Sequence, residues 1–276
     1  MTNDKLAAAI HGQYDIKPFA IIAEAWKKTK GVKASFWGGT ALNILVCMVF
    51  VSLLFSILVS AGDKAIIHGH LMGIKITSQL LWFIPFLIIF IGSFFVILPM
   101  FSGMLMIGIY RVIDHPHKAT LVFKYFRYRY QLFMAFVVYQ IIVGGLTVLG
   151  NYLANLSNTQ ALAGNHDLSI GLMIASICCF LVYLYFFVSY LLYVPLIVEK
   201  KLLGWRALRT SRQAIYYHWF KIFALQVLMF IILVLSVIPF AIGLIWSIPM
   251  LNNAFAILYR EIFGIENLAN QTYATS

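Results

Sequence analysis

The sequence predicts an all-α, polytopic membrane protein with six transmembrane helices and three amphipathic helices at the cytoplasmic interface. Three observations carry that expectation. First, 62% of the 276 residues are hydrophobic and only 11% are charged, against about 45–50% and about 25% in soluble domains. A water-soluble fold of this size has too little interior to hide so much apolar surface. Second, four long intervals lack Asp, Glu, Lys and Arg: 76–110, 130–166, 168–198 and 222–259. Each has room for the roughly 20 apolar residues that a spanning helix needs. Third, 18 of the 20 basic residues fall in segments that six spans would place on one side. Lys and Arg mark the cytoplasmic side, so both termini are expected there, with the chain multi-pass in a bacterial inner membrane.

The spans read as about 36–60, 79–110, 131–154, 169–198, 219–240 and 243–260. The second and fourth exceed one untilted crossing at 1.5 Å per residue. Pro85, Pro99 and Pro195 are the expected kink points. The last interval holds 38 uncharged residues. One helix of that length is about 57 Å long, nearly twice the hydrocarbon thickness. Pro239 and Gly243 in "SVIPFAIG" supply a turn that divides it in two.

The basic segments are amphipathic. In 17–30, Phe19, Ile22 and Trp26 oppose Glu24, Lys27 and Lys28. In 115–133, Val122, Phe123, Phe126 and Tyr130 form a stripe, with Lys118 and Lys124 facing away. In 204–220, Trp205, Leu208, Ile215 and Trp219 oppose Arg206, Arg209 and Gln213. Such helices lie in the headgroup layer. The chain then reads as one membrane domain of three units, 17–113, 117–203 and 204–264, with a short tail over 265–276. "IYR" at 109–111 and "LYR" at 258–260 close the first and third units. Tyr110, Arg111, Tyr259, Arg260, Trp26, Trp205 and Trp219 are the expected interfacial anchors, Tyr and Trp for the headgroup layer and Arg for the positive side. The second unit ends in "IVEKK" and lacks the pair.

Residues 193–264 carry a Gly-Trp-x-Ala-Leu-x-x-Ser run and a closing Tyr-Arg followed by glycine. On these features the chain resembles a broad group of bacterial six-helix integral membrane proteins of unknown function. It is similar too to the membrane domain that precedes some glycerophosphodiester phosphodiesterases. The resemblance implies a membrane domain and carries no catalytic residues.

Net charge is +11, but its placement beside apolar runs points to anionic lipid as the partner rather than nucleic acid. Cys47, Cys178 and Cys179 form no metal or redox spacing. His68 and His70, in "IIHGH", are the strongest metal candidates and lack a third ligand at defined spacing. No nucleophile motif is legible, and no cofactor is implied. The polar positions within spans are Asn43, Gln140, Gln226, Asn252 and Asn253. They read either as interhelical hydrogen-bonding groups or, for Asn252, Asn253 and Gln140, as the lining of a cavity near the Pro249 break. The leading expectation is a non-enzymatic membrane protein of envelope or lipid-linked physiology, acting as an assembly partner. The alternative is a transporter of a small or amphipathic solute.

Overall fold

The computed structural model describes residues 2–31, 33–67, 78–115, 118–238, 240 and 242–265; side chains within 2–4, 53–55, 57–67, 78–91 and 93 are outside that description. All regular structure among the described residues is helical. Two short helices, α1 (Thr2–Ile10) and α2 (Pro18–Lys28), lead into α3 (Lys33–Ile67) and α4 (Ser78–Val112). A 3₁₀ segment, Ala119–Tyr128, precedes α5 (Arg129–Tyr139), a π turn (Gln140–Gly144) and α6 (Gly145–Leu162). Then follow α7 (His166–Ser189), α8 (Tyr193–Val198), α9 (Gly204–Tyr216), α10 (Trp219–Val237) and α11 (Leu244–Phe263). Five of the helical stretches are long and apolar enough to cross a membrane: 33–52, 94–112, 119–162, 166–198 and 219–237.

Exposure has the pattern lipid requires. The faces of α7 and α10 that point away from the bundle carry Met173, Ile177, Phe180 and Phe230, Val234, Leu235, all exposed. In water such patches would drive association. The interior instead holds α11 and the second half of α4. Met250, Ala254, Ile257, Leu258, Tyr259 and Phe263 of α11 are almost wholly enclosed, as are Met100, Met106, Ile107 and Ile109 of α4. Lipid tails are as apolar as Leu, so close packing rather than water exclusion holds such helices together. Small residues permit it. A Cβ at Gly103 would lie 2.4 Å from Val122 Cα in the 3₁₀ segment, and one at Gly108 would lie 2.7 Å from Asn252 Nδ2 on α11.

Two prolines set local structure. Pro195 has no N–H to give and its ring crowds the carbonyl one turn back. The helix expected to run to 198 ends instead at Ser189, turns through 190–192 and restarts as α8. Ser211 of α9 bridges the break, accepting from Leu192 N at 3.2 Å and donating to Ser189 O at 2.8 Å. This gives the Gly-Trp-x-Ala-Leu-x-x-Ser run a packing role. Gly204, Ala207, Leu208 and Ser211 are buried, and Gly204 abuts Gln131 O. Trp205 is 61% exposed, away from Leu208 and Ile215. Pro249 stands inside α11 and leaves the Ile245 carbonyl without its helical donor. The Trp37 indole of α3 donates to that oxygen at 3.1 Å. Pro99 leaves α4 unbroken. His68, His70 and Pro239 lie outside the described residues, as does the tail from 266.

Both Tyr-Arg pairs converge on α2. Arg260 grips Glu24 through two bonds, of 2.8 and 3.0 Å. Arg111 Nε donates to Lys28 O at 3.0 Å and its Nη2 to Lys30 O. A cation thus sits on the end of α2 where free carbonyls collect. Lys28 pairs with Asp114. Further toward the N-terminus, Tyr14 donates to Ala214 O, and Lys221 binds Asp15 at 2.8 Å. Helix α2 therefore docks through Ile21 and Ala25, leaving Phe19 and Trp26 of the expected stripe exposed, while α9 buries Leu208 and Ile215 against the protein.

Two tests follow from this packing. Gly103→Ala is expected to destabilise the bundle by about 1–3 kcal/mol through overpacking, read by reversible unfolding in mixed micelles. Gly145→Ala, which meets open space, should leave stability unchanged or improved. The second test is pH. The Arg260 guanidinium holds the Glu24 carboxyl below its ordinary 4.5, and Lys28 holds Asp114 below 3.8. The folded state binds those protons less tightly than the unfolded chain. Their contribution to docking is therefore full above the ordinary values and lost as pH falls through and below them. Amide protection across 18–28, corrected for intrinsic exchange, should fall between about pH 6 and about pH 3, and Glu24→Gln should flatten that response.

Candidate functional site

Between α3, α4, α5, the end of α7, the 190–192 turn, the start of α8 and α11 lies a chamber of about 610 Å³ that opens to the surface beside Phe101 and Phe187. Its wall is aromatic and aliphatic: Trp37, Phe101, Phe136, Tyr139, Phe187, Tyr193, Leu251 and Phe255 stand around it. Tyr139 and Tyr193 stack with centroids 5.9 Å apart. Polar groups are few, chiefly Thr40, Asn43 and Asn252. Asn252 is held in place by donating Nδ2 to Met104 O at 2.9 Å. That leaves its amide oxygen, the Asn43 amide and the hydroxyls of Tyr139, Tyr190 and Tyr193 among the groups able to orient a guest. The volume falls within the roughly 300–1,000 Å³ of small-molecule sites, which share this apolar wall with a few fixed polar groups. Both the helix break before Pro195 and the proline within α11 border it. Tyr190, Leu191 and Tyr193 belong to the Pro195 break, and Ile248 and Leu251 flank Pro249.

Of the cavity residues expected from sequence, Asn252 lines the chamber. Asn253 does not. It is fully enclosed on another face of α11, and neither its Oδ1 nor its Nδ2 makes a hydrogen bond. Gln140 is on the exposed side of the π turn. Among the expected anchors, Trp26 is exposed, while Trp219 is half-buried and donates to Tyr185 O at 3.3 Å. Tyr110 is buried and receives Lys124 Nζ at 3.3 Å. Tyr259 has no exposed surface, and its hydroxyl donates to Glu199 Oε2 at 2.7 Å. Among the described residues no group of three or more His, Cys, Asp or Glu could hold a metal.

Glu199 is the residue that sequence reasoning passed over. Its side chain is enclosed, Lys200 lies 3.3 Å from Oε2, and Oε1 has no partner. Burial pushes its carboxyl above the ordinary 4.5, while Lys200 and the Tyr259 bond pull the other way. The available signal was local: an acid placed between an apolar run and two lysines in "LIVEKK", where an isolated charge is costly unless paired.

The fold and site together define an all-helical protein whose apolar helices suit a membrane and border an open, apolar chamber. Comparison with protein-family models, curated proteins and solved structures finds no match to this chain.

Tyr259→Phe is expected to cost about 1 kcal/mol, the net worth of one hydrogen bond. Glu199→Ala should cost more, about 2–3 kcal/mol, because it strands both the Tyr259 hydroxyl and the Lys200 ammonium. Equal costs in mixed-micelle unfolding would contradict this assignment.

Proposed function

We propose that this chain is a non-enzymatic protein of a bacterial inner membrane that binds an amphipathic, lipid-like molecule in the chamber between α3, α4 and α11. The carrying observation is the chamber itself, large, aromatic and nearly free of charge. An acyl or isoprenoid chain fits such a wall, and Asn43 and Asn252 offer hydrogen bonds to a polar group at its end. In this reading α11 is a sixth crossing, and both termini face the cytoplasm with the basic segments. Pro249, Asn252, Asn253 and Arg260 make its sequence more polar than the five apolar stretches, and the buried face of α11 keeps Pro249 and Asn253 away from lipid. The order of an amphipathic segment followed by two long helices, met at α2, the 3₁₀ segment and α9, supports a build of three like units.

A transporter is the second reading, favoured by one observation. The helix break at 190–192 borders the chamber, opposite the proline inside α11, and broken helices beside a binding site recur in transporters. Reconstituted flux of an amphipathic solute, lost in a chamber-blocking variant, would separate transport from retention.

Leu251→Trp, which fills the chamber, should abolish the lipid-like molecule that co-purifies in mild detergent, as seen by native mass spectrometry, with the fold retained. Asn252→Ala should weaken it by about tenfold through loss of the held amide. Equal retention in all three proteins would refute the chamber reading. A reporter fusion that places the C-terminus outside would refute the topology.

A further inference from the structure

On the other face of α4, Met106 and Tyr110 border a second cavity, of about 400 Å³, closed by the 3₁₀ segment and the turn at 198–201. Its charge is one-sided. Lys124, Arg127, Lys200 and Lys201 line it against Glu199 alone, and only Lys200 pairs with that carboxylate. Among the described residues no acid pairs with Lys124, Arg127 or Lys201. Lys124, Arg127 and Lys201 are exposed at its rim, so an anion entering from water meets three cations that no acid among the described residues neutralises.

Two further observations point to a guest. Tyr125, only 4% exposed, borders the cavity; its hydroxyl makes no hydrogen bond of good geometry, and its polar neighbour is the Tyr110 hydroxyl, which accepts from Lys124. Buried hydroxyls without partners are rare in a folded protein. Lys201 is held at φ 56°, a left-handed conformation that a lysine adopts only at a cost.

We propose that this cavity is a phosphate site, which takes the phosphate of either an anionic phospholipid headgroup or a soluble phosphate ester. Lys124, Arg127 and Lys201 contact the phosphate oxygens, and the Tyr125 hydroxyl donates to one of them. Arg offers a planar fork and Lys a point charge, both suited to phosphate. Basic pockets between helices on the cytoplasmic side take lipid headgroups in this way. The site is separate from the chamber and does not depend on what the chamber holds.

The test uses the full chain in neutral detergent at one fixed ionic strength, since such contacts are screened by salt. Short-chain phosphatidylglycerol and inorganic phosphate are each titrated in, alone and in competition. The expected result is saturable binding of at least one, mutual competition where both bind, and a loss of about tenfold in Arg127→Gln and in Lys201→Gln. Both substituted side chains belong to exposed residues, so these variants keep the fold. Tyr125→Phe should lose a smaller factor. Competition by inorganic phosphate with no lipid binding supports the site with a soluble ester as its occupant. Lipid binding that phosphate never displaces overturns it. So does failure of both probes to bind, or an equal loss in Lys27→Gln/Lys30→Gln, two lysines outside the cavity.

Discussion

Helix α11 is enclosed by protein on nearly every side, and the arrangement around it follows from that constraint. A buried polar group with no partner costs more than one left in water. Four polar features of α11 therefore find partners on other elements. The carbonyl freed by Pro249 is met by Trp37 of α3, and Asn252 by Met104 O of α4. Tyr259 meets Glu199 at the end of α8, and Arg260 meets Glu24 of α2. These contacts draw four separate parts of the chain onto one helix. The chamber is what remains where these partners stand apart.

The two Tyr-Arg pairs show how one motif can serve a bundle without facing lipid. In each, the tyrosine turns inward and the arginine reaches across to α2. Arg111 takes the carbonyls at the end of α2, and Arg260 takes a carboxylate a turn earlier. The short N-terminal helix is held at two points, so it acts as a strap across the basic end of the bundle.

Much of the architecture was legible in the sequence, because a solvent as demanding as lipid leaves plain marks. Charge-free stretches located the apolar helices, while of the asparagines after Pro249 only Asn252 borders the chamber and Asn253 is enclosed elsewhere. Other features depend on contacts between residues distant in sequence. The break at 190–192 follows from Pro195, but its stability comes from Ser211, some twenty residues on. Hydropathy gave no sign that Tyr259 turns inward, since a tyrosine beside an arginine looks the same whether it faces headgroups or a buried glutamate. Glu199 was read as part of a basic exit because its partners, Tyr259 and the enclosed end of α8, are visible only in three dimensions.

The dependence of α11 on its neighbours has a consequence for how the molecule is made. A segment bearing Pro249, Asn252, Asn253 and Arg260 partitions poorly into lipid by itself. In the chain it follows Glu24, Trp37, Met104 and Glu199. During synthesis the ribosome thus delivers every partner of this helix before the helix itself, and the least lipid-soluble segment arrives when its cradle is complete.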